Sequence, residues 1–341
     1  MAAASLALPS TGTASMPVSA EIGHWAIQKP AALREGAVVG LIAPGSPISD
    51  TRLEQAIQNM FNLGFAVKEG RNIRQKYGYL AGTDEQRLAD IHWAFSDPEV
   101  EAVWCVRGGY GCGRLLPDID MDIIRRNPKI IIGYSDITAL HLAIHKATGL
   151  VCFHGPVAAS EYPENTLKHL NSVLVQPQKN YVISVPDETE ELPGTAFKPY
   201  TISPGKAQGA LIGGNLALLS ALAGTPYLPS FAGKMVFIED IGEQPYRIDR
   251  MLIQLLQSTD LKQAAGIALG VFYDCQPKSG GTIPSLSLEE TLNDCLGRLG
   301  IPVLYGLPFG HVQHNATLPY GIEAALDTEK GTLTLLEEAV K

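Results

Sequence analysis

Short apolar runs alternate with amphipathic helical stretches along most of this chain, and that alternation is the feature that most limits its fold. Val38 to Ile42, Ala102 to Val106 and Lys129 to Ile132 are such runs, and a glycine-containing turn follows each. Runs of this kind are typical of strands buried on both faces, as in parallel sheets covered by helices. The pattern therefore predicts an α/β fold whose N-terminal domain has a Rossmann-like parallel sheet.

Helix starts are marked by the capping-box pattern, in which Ser or Thr is followed three residues later by Glu or Gln. Thr51 with Glu54 and Thr83 with Gln86 predict two such starts. Periodicity predicts the remaining helices at about 137–146, 216–222, 247–256 and 288–299. Further strands are predicted at 235–238, 267–272 and 303–304, the last of these followed by a loop over 306–315.

Composition divides the chain into four parts. Residues 1–34 are rich in Ala, Ser, Thr and Pro and predict a flexible extension. An N-terminal domain is expected over 35–165 and a C-terminal domain over 206–341. Between them, prolines punctuate residues 166–205 and predict an interdomain connection.

Charge and cysteine usage exclude several classes of protein. The net charge of -9, without a long basic block, argues against nucleic acid or an anionic membrane as the main partner. The five cysteines are odd in number and scattered, which predicts reduced, buried thiols. No stretch predicts a membrane span, and the N-terminus lacks the basic and apolar regions of a signal peptide. We therefore expect a cytoplasmic protein.

Ser135 occupies a tight turn between a predicted buried strand and a predicted helix. Gly133-Tyr134-Ser135-Asp136-Ile137 fits a nucleophile elbow, which exposes the serine Oγ and brings the next backbone N–H near the reacting carbonyl. Ile137 stands where the usual elbow pattern has a second glycine. Helix capping by Ser135 or Asp136 is the alternative that the spacing leaves open.

A glycine-rich segment follows the strand at 102–106. Arg107 to Arg114 contains four glycines, which let a backbone approach a ligand closely and aim N–H groups at negative charge. The spacing matches neither of the common nucleotide-binding patterns. The segment therefore predicts an anion site or an oxyanion hole, with a plain flexible turn as the alternative.

Two further segments supply an acid and a base. Glu239 lies in an acidic cluster at the end of a strand, and His311 lies in a loop framed by glycine and proline. With Ser135 they form a possible triad, in which histidine takes the serine proton and the carboxylate orients the histidine. Individually, the carboxylate is equally typical of a helix cap and the histidine of an exposed loop.

His141 and His145 have the four-residue spacing of two zinc ligands on a helix. Leu142 occupies the position at which the metalloprotease pattern requires glutamate. Two histidines on a helix face are thus the favoured interpretation, and we predict neither a metal nor another cofactor.

In combination and order, these segments resemble the LD-carboxypeptidase family of serine peptidases, which also contains the microcin C immunity proteins. The matching segments span about Ala37 to Glu338: Ala43 to Ser46, Arg107 to Gly111, Gly133 to Asp136, Gly209 to Asn215, Ile238 to Asp240, and Gly310 with His311. The resemblance implies an N-terminal α/β domain carrying Ser135 and a smaller, β-rich C-terminal domain carrying Glu239 and His311. It also implies a homodimer.

The activity implied by the resemblance is release of terminal D-alanine from murein tetrapeptides in peptidoglycan recycling. The backbone N–H groups of Asp136 and Gly109 are then expected to form the oxyanion hole. The terminal carboxylate needs a cationic pocket, for which the candidates are Arg107, Arg114, Arg247 and Arg250. An immunity-type amidase on the same fold is the first alternative, and a non-catalytic anion-binding protein is the second.

Overall fold

A computed structural model describes residues 25–185, 198–278 and 284–341. Two sheets and eight α-helices form in these ranges. The strands are β1 (Val38–Ile42), β2 (Ala66–Glu69), β3 (Ala102–Cys105), β4 (Ile130–Gly133), β5 (Phe153–His154), β6 (Tyr181–Ser184), β7 (Tyr200–Ser203), β8 (Lys206–Asn215), β9 (Met235–Ile241), β10 (Gly266–Tyr273), β11 (Val303–Gly310), β12 (Leu318–Pro319), β13 (Glu323–Asp327) and β14 (Thr332–Leu335). The helices are α1 (Asp50–Asn62), α2 (Asp84–Ser96), α3 (Met121–Arg126), α4 (Thr138–Thr148), α5 (Glu164–Leu170), α6 (Leu216–Leu222), α7 (Pro245–Ser258) and α8 (Leu288–Leu296).

The first sheet has the strand order β12-β5-β4-β3-β1-β2. All pairs are parallel except β12 with β5. The residues of β3 and β4 are completely buried, as their apolar runs predicted. In a parallel sheet the carboxyl ends of the strands share one edge, so the turns after β1, β3 and β4 lie side by side there.

The second sheet has eight strands in the order β6-β14-β13-β8-β9-β10-β11-β7. Its centre, β8 to β11, is parallel, and the outer strands are antiparallel. The predicted fold class, a parallel-sheet α/β domain followed by a β-rich domain, is confirmed.

The segment predicted as an interdomain connection is more structured than expected. Both edge strands of the second sheet, β6 and β7, lie within residues 166–205, and residues 186–197 of that segment lie outside the described part. The C-terminal part in turn contributes β12 to the first sheet. The two halves of the chain are therefore joined by shared strands as well as by a connection.

The predicted N-terminal extension is also packed where the structure describes it. Leu33 is buried, the backbone of Gln28 bonds to that of Gly149, and Lys29 forms an ion pair with Glu337. Residues 1–24 lie outside the described residues. The prediction of flexibility is thus wrong for residues 25–34, because they pair with structure from both halves of the chain.

Helix capping explains where two of the helices begin. The capping box of Thr83 and Gln86 forms as predicted at the start of α2. The box predicted at Thr51 is wrong, because Ser49 caps α1 by accepting a hydrogen bond from the Arg52 backbone N–H. The five cysteines are buried and unpaired, as predicted.

Candidate active site

Ser135 has a backbone conformation that non-glycine residues rarely adopt. It follows Tyr134, the first residue after β4, and its φ of 64° lies in the left-handed region. A 3₁₀ turn over Ser135–Ile137 then leads into α4. Such a conformation costs of order 1–3 kcal/mol and is typically retained at functional sites. The predicted strand–turn–helix elbow is present.

The capping alternative is not what the structure shows. Neither the 3₁₀ turn nor α4 has a side-chain cap. The Asp136 carboxylate instead accepts a hydrogen bond of 2.8 Å from the backbone N–H of Cys112. It therefore ties the elbow to the glycine-rich segment, which makes that segment a fixed turn.

Glycines allow this contact because side chains would obstruct it. A Cβ at Gly108 would lie 3.0 Å from the Ser135 Cβ, and one at Gly109 would lie 2.4 Å from the Ser46 Oγ. The Ser46 backbone N–H donates to the Gly108 carbonyl at 3.1 Å, and Ser46 Oγ accepts from the Tyr110 backbone N–H at 3.0 Å. The turns after β1, β3 and β4 thus interlock around Ser135.

Glu239 and His311 form a direct pair at the carboxyl edge of the second sheet. The His311 Nδ1 and the Glu239 Oε2 lie 2.7 Å apart. The Glu239 side chain is fully buried and that of His311 is 14% exposed. The other Glu239 oxygen, Oε1, has no hydrogen-bond partner among the described residues.

The Glu239–His311 pairing shifts the pKa of both side chains. Burial favours a higher pKa for Glu239, but the His311 ring and its hydrogen bond outweigh burial, so the pKa lies below its ordinary value. Burial favours a lower pKa for His311, but the Glu239 carboxylate outweighs it and raises the pKa above the ordinary value. The carboxylate therefore stabilises the protonated imidazole.

The turn at His311 differs from its prediction. Residues 306–310 belong to β11, so His311 is the first residue after a strand and not the middle of a loop. A Cβ at Gly310 would lie 2.8 Å from the Glu239 Oε2, and the Asn315 Oδ1 accepts from the Gly310 backbone N–H at 3.1 Å. Asn315, which the sequence did not single out, thus holds the turn that presents the histidine.

Tyr134 brings the two halves of the site into contact. Its ring packs edge-on against His311 with 4.8 Å between ring centroids, and it is the neighbour of Ser135 along the chain. The backbone N–H of Asn215, at the end of β8, donates to the Thr138 Oγ1 at 3.1 Å. The carboxyl edges of the two sheets therefore face each other, with Ser135, Glu239 and His311 at their junction.

Asp240 and Asn215 are buried polar residues that lie in family-matching segments, but no role of their own was predicted for them. The Asn215 Nδ2 donates to the Asp240 Oδ1 at 3.0 Å, and the backbone N–H of Ala217 donates to Oδ2 at 3.1 Å. Burial, and then the charge of Glu239, raises the pKa of Asp240 to about 7. This network anchors the start of α6 beside the Glu239–His311 pair.

The four candidate arginines have different surroundings. Arg114 donates two hydrogen bonds to the Asp84 carboxylate, at 3.0 and 2.7 Å, so part of its hydrogen-bonding capacity is already used. Arg247 lies 3.5 Å from Glu243, whereas Arg107 donates to the Pro47 carbonyl at 2.9 Å. Arg250 lies over the Tyr246 ring at 6.0 Å. Arg114 and Arg247 are therefore the weaker candidates for binding a carboxylate.

A cavity of about 320 Å³ opens beside His311. Its lining includes Tyr134, Ser160 and a cation that the sequence reasoning missed, Arg52. No local pattern marks Arg52, because it is one of several polar residues on an exposed helix face. Only the packing of α1 against the loop after β5 reveals it.

The two histidines considered as metal ligands have other surroundings. His141 is completely buried with its ring against Tyr320, at 5.2 Å between centroids. The His145 Nδ1 lies 2.9 Å from the Leu150 carbonyl oxygen. Within residues 25–185, 198–278 and 284–341, no group of three His, Cys, Asp or Glu side chains has a metal-binding arrangement. Across those same residues, no helix has the length and apolarity required to cross a membrane.

Comparison with known proteins identifies the family. Residues 39–155 match the LD-carboxypeptidase N-terminal domain and residues 208–326 match the LD-carboxypeptidase C-terminal domain. The probable murein peptide carboxypeptidase of Bacillus subtilis is 43% identical over 308 residues, covering 90% of this chain and 94% of that protein. The murein tetrapeptide carboxypeptidase of Pseudomonas aeruginosa is 39% identical over 295 residues, covering 85% and 92%.

A solved structure gives the same result for the fold. The structure of MccF in complex with glutamyl sulfamoyl guanosine superposes with a TM-score of 0.80 at 26% identity, covering 92% of this chain and 99% of that one. The matches therefore cover both the N-terminal and the C-terminal half of the chain, in the same order along the sequence. The chain belongs to the LD-carboxypeptidase family of hydrolases.

Proposed function

We propose that this protein is a serine carboxypeptidase that releases terminal D-alanine from murein tetrapeptides, with Ser135, Glu239 and His311 as its catalytic residues. The observation that carries the proposal is the 2.7 Å Glu239–His311 pair, which lies against the residue preceding a serine in left-handed conformation. The names of the two relatives supply the substrate class. The bond cleaved joins the L-centre of a diamino acid, such as meso-diaminopimelate, to D-alanine.

The reaction follows from the properties of these groups. His311 takes the Ser135 proton as Oγ forms a bond to the scissile carbonyl carbon, and Glu239 stabilises the imidazolium that results. The backbone N–H groups of Asp136 and Gly109 hold the oxyanion. The C–N bond then breaks as His311 protonates the departing D-alanine amine. Water attacks the acyl-enzyme by the same route and restores Ser135.

Product analysis tests the substrate. We expect mass spectrometry to show conversion of murein tetrapeptide to tripeptide plus D-alanine, with tripeptide and pentapeptide left intact. A serine-directed phosphonate should label Ser135 covalently in the parent protein and should fail to label Ser135→Ala. Absence of labelling together with absence of turnover would favour a non-catalytic anion-binding protein instead.

An immunity-type amidase is the second candidate, and the likeness to MccF is what favours it. The two activities use the same kind of catalytic residues, so only the substrate separates them. Incubation with an aminoacyl sulfamoyl nucleoside decides between them. Cleavage of that compound at a rate equal to or above that for tetrapeptide would replace the carboxypeptidase assignment.

The cellular setting is part of the same proposal. We propose a cytoplasmic homodimer without nucleic-acid or membrane partners, consistent with a net charge of -9. Light scattering after gel filtration tests the dimer, and fractionation of the native cell tests the location. A monomer at micromolar concentration, or protein found in the membrane fraction, would contradict this part.

A further inference from the structure

The cavity beside His311 is lined by side chains of both charges. Arg52 and Glu161 both contribute to it, together with Tyr134, Ser160 and Gln313. Its volume of about 320 Å³ is within the range of small-molecule sites. Because His311 lines the same cavity, a group bound there belongs to the substrate whose bond is being cleaved.

Arg52 has no carboxylate partner within 4.0 Å among the described residues. One of its terminal nitrogens, Nη2, donates to the Ala159 carbonyl at 3.1 Å, which leaves its remaining donors available. A guanidinium held in this way presents a fixed fork of N–H groups that matches a carboxylate. Arg52 therefore has the properties of an anion-binding residue.

Glu161 supplies the opposite charge. One of its carboxylate oxygens, Oε2, accepts from the Gln313 Nε2 at 2.7 Å, and it forms no ion pair within the described part of the chain. A carboxylate has capacity for several hydrogen bonds, so it retains the ability to accept from an ammonium group.

The loop after β5, which carries Ser160 and Glu161, forms one wall of the cavity and is held in place by a side chain of α1. The Asn59 Nδ2 donates to the carbonyl oxygens of Ala158 and Ser160, both at 2.8 Å. The Tyr162 hydroxyl donates to the Val157 carbonyl at 3.0 Å. The loop is thus fixed before substrate arrives, and a fixed site avoids the cost of ordering it on binding.

We infer that this cavity binds the zwitterionic amino-acid end of the diamino acid side chain, with its carboxylate at Arg52 and its ammonium at Glu161. A ligand with only a carboxylate would be repelled by Glu161, and one with only an ammonium would be repelled by Arg52. The free D-centre of meso-diaminopimelate carries both groups. Lysine at the same position carries the ammonium alone. The inference rests on the proposed carboxypeptidase activity and makes Arg52 the residue that selects meso-diaminopimelate over lysine.

The test compares two tetrapeptides that differ only in having meso-diaminopimelate or L-lysine at the third position. We expect Arg52→Met to lower kcat/KM for the diaminopimelate peptide by about 10- to 150-fold, the value of one hydrogen-bonded charge contact, and to leave kcat/KM for the lysine peptide unchanged or raise it, because its ammonium group no longer faces a guanidinium. Glu161→Gln should lower both rates, because both peptides carry the ammonium. Arg74→Met, which removes an exposed arginine paired with Glu69, is the matched control and should change neither.

Each other pattern overturns the inference. Equal losses on both peptides in Arg52→Met would mean that Arg52 binds the terminal carboxylate or supports the loop. Unchanged rates on both would mean that the cavity is not used. If the parent protein cleaves neither peptide, the proposed function itself fails, and the inference fails with it. Circular dichroism of each variant confirms that the comparison is between folded proteins.

Discussion

Replacing Glu239 with glutamine tests the central pair of the site with little change in shape. The substitution keeps a side chain that can accept from the His311 Nδ1, now 2.7 Å from Oε2, but removes the negative charge. In the proposed attack by Ser135, the imidazole becomes positively charged while remaining largely buried. Without the Glu239 carboxylate that charge loses its hydrogen-bonded partner, and only the weaker influence of Asp240 remains among the acidic groups that raise the His311 pKa.

The expected magnitude follows from the burial of both groups. Removing one member of a buried charged pair typically costs about 3–5 kcal/mol. At about 1.4 kcal/mol per factor of ten, turnover should fall by roughly 10²- to 10⁴-fold if the pair is fully charged in the transition state. The acid limb of the pH profile should also move. Since Glu239 raises the pKa of His311, its loss should shift the limb of kcat/KM to lower pH.

The assay is release of D-alanine from tetrapeptide, measured from pH 5 to pH 9 for the parent and for Glu239→Gln. Glu85→Gln, at an exposed position in the first turn of α2, serves as the matched control and should leave the profile unchanged. Activity within tenfold of the parent, or an acid limb that stays in place or moves to higher pH, would refute the role of Glu239. Thermal unfolding of both variants separates lost activity from lost fold.

Three further outcomes are expected. Ser135→Ala should fold normally and lose at least about 10³-fold in turnover, and activity within tenfold of the parent would end the proposal for Ser135 as the nucleophile. A tetrapeptide ending in L-alanine should react roughly 30- to 5000-fold more slowly than the D-epimer, because inverting that centre moves the carboxylate out of the cationic pocket proposed for it. Comparable rates in parallel hydrolysis of the two epimers would contradict this. His154 is completely buried without a hydrogen-bond partner among the described residues, and burial lowers its pKa to about 4. The unfolded chain then binds a proton at His154 more readily than the folded one, so the stability that neutral His154 contributes is present above pH 6.5 and is lost as the pH falls towards 4. In denaturant titrations, the free energy of unfolding of the parent should therefore fall by about 2 kcal/mol more than that of His154→Phe between pH 7 and pH 5. Equal losses would show that His154 is not held in its neutral form.

The sequence predicted those parts of the fold in which local pattern and final environment agree. Apolar runs such as β4 become strands buried on both faces, and the capping box at Thr83 uses only neighbouring residues. The elbow at Ser135 was also predictable, because a serine between a buried strand and a helix has few arrangements. Long-range pairing creates the elements that were missed. The strand β12 has two residues and exists only because it pairs with β5.

Glycine and proline residues made one strand of the site resemble a loop in the sequence. Gly306 and Gly310 have positive φ values, Pro308 lies between them, and the register of β10 with β11 shifts nearby. Such a composition is typical of loops, yet here it forms an irregular strand that delivers His311 to Glu239. The role proposed for Arg52 depends on a contact with a residue more than 100 positions away. That of Asn315 depends on a turn that only the fold defines. No local pattern contains that information.

The pairing of β12 with β5 limits how much of the first sheet can form while the chain is still being synthesised. The first sheet is complete only after Leu318 and Pro319 have been synthesised, about 165 residues after β5, and the backbone of Lys341 bonds to Pro30 and Ala32. Contacts that distant in sequence form late and slow the search for the native state. The N-terminal half should therefore emerge from the ribosome with an open sheet edge, and excising it as an independent module should yield an aggregation-prone fragment.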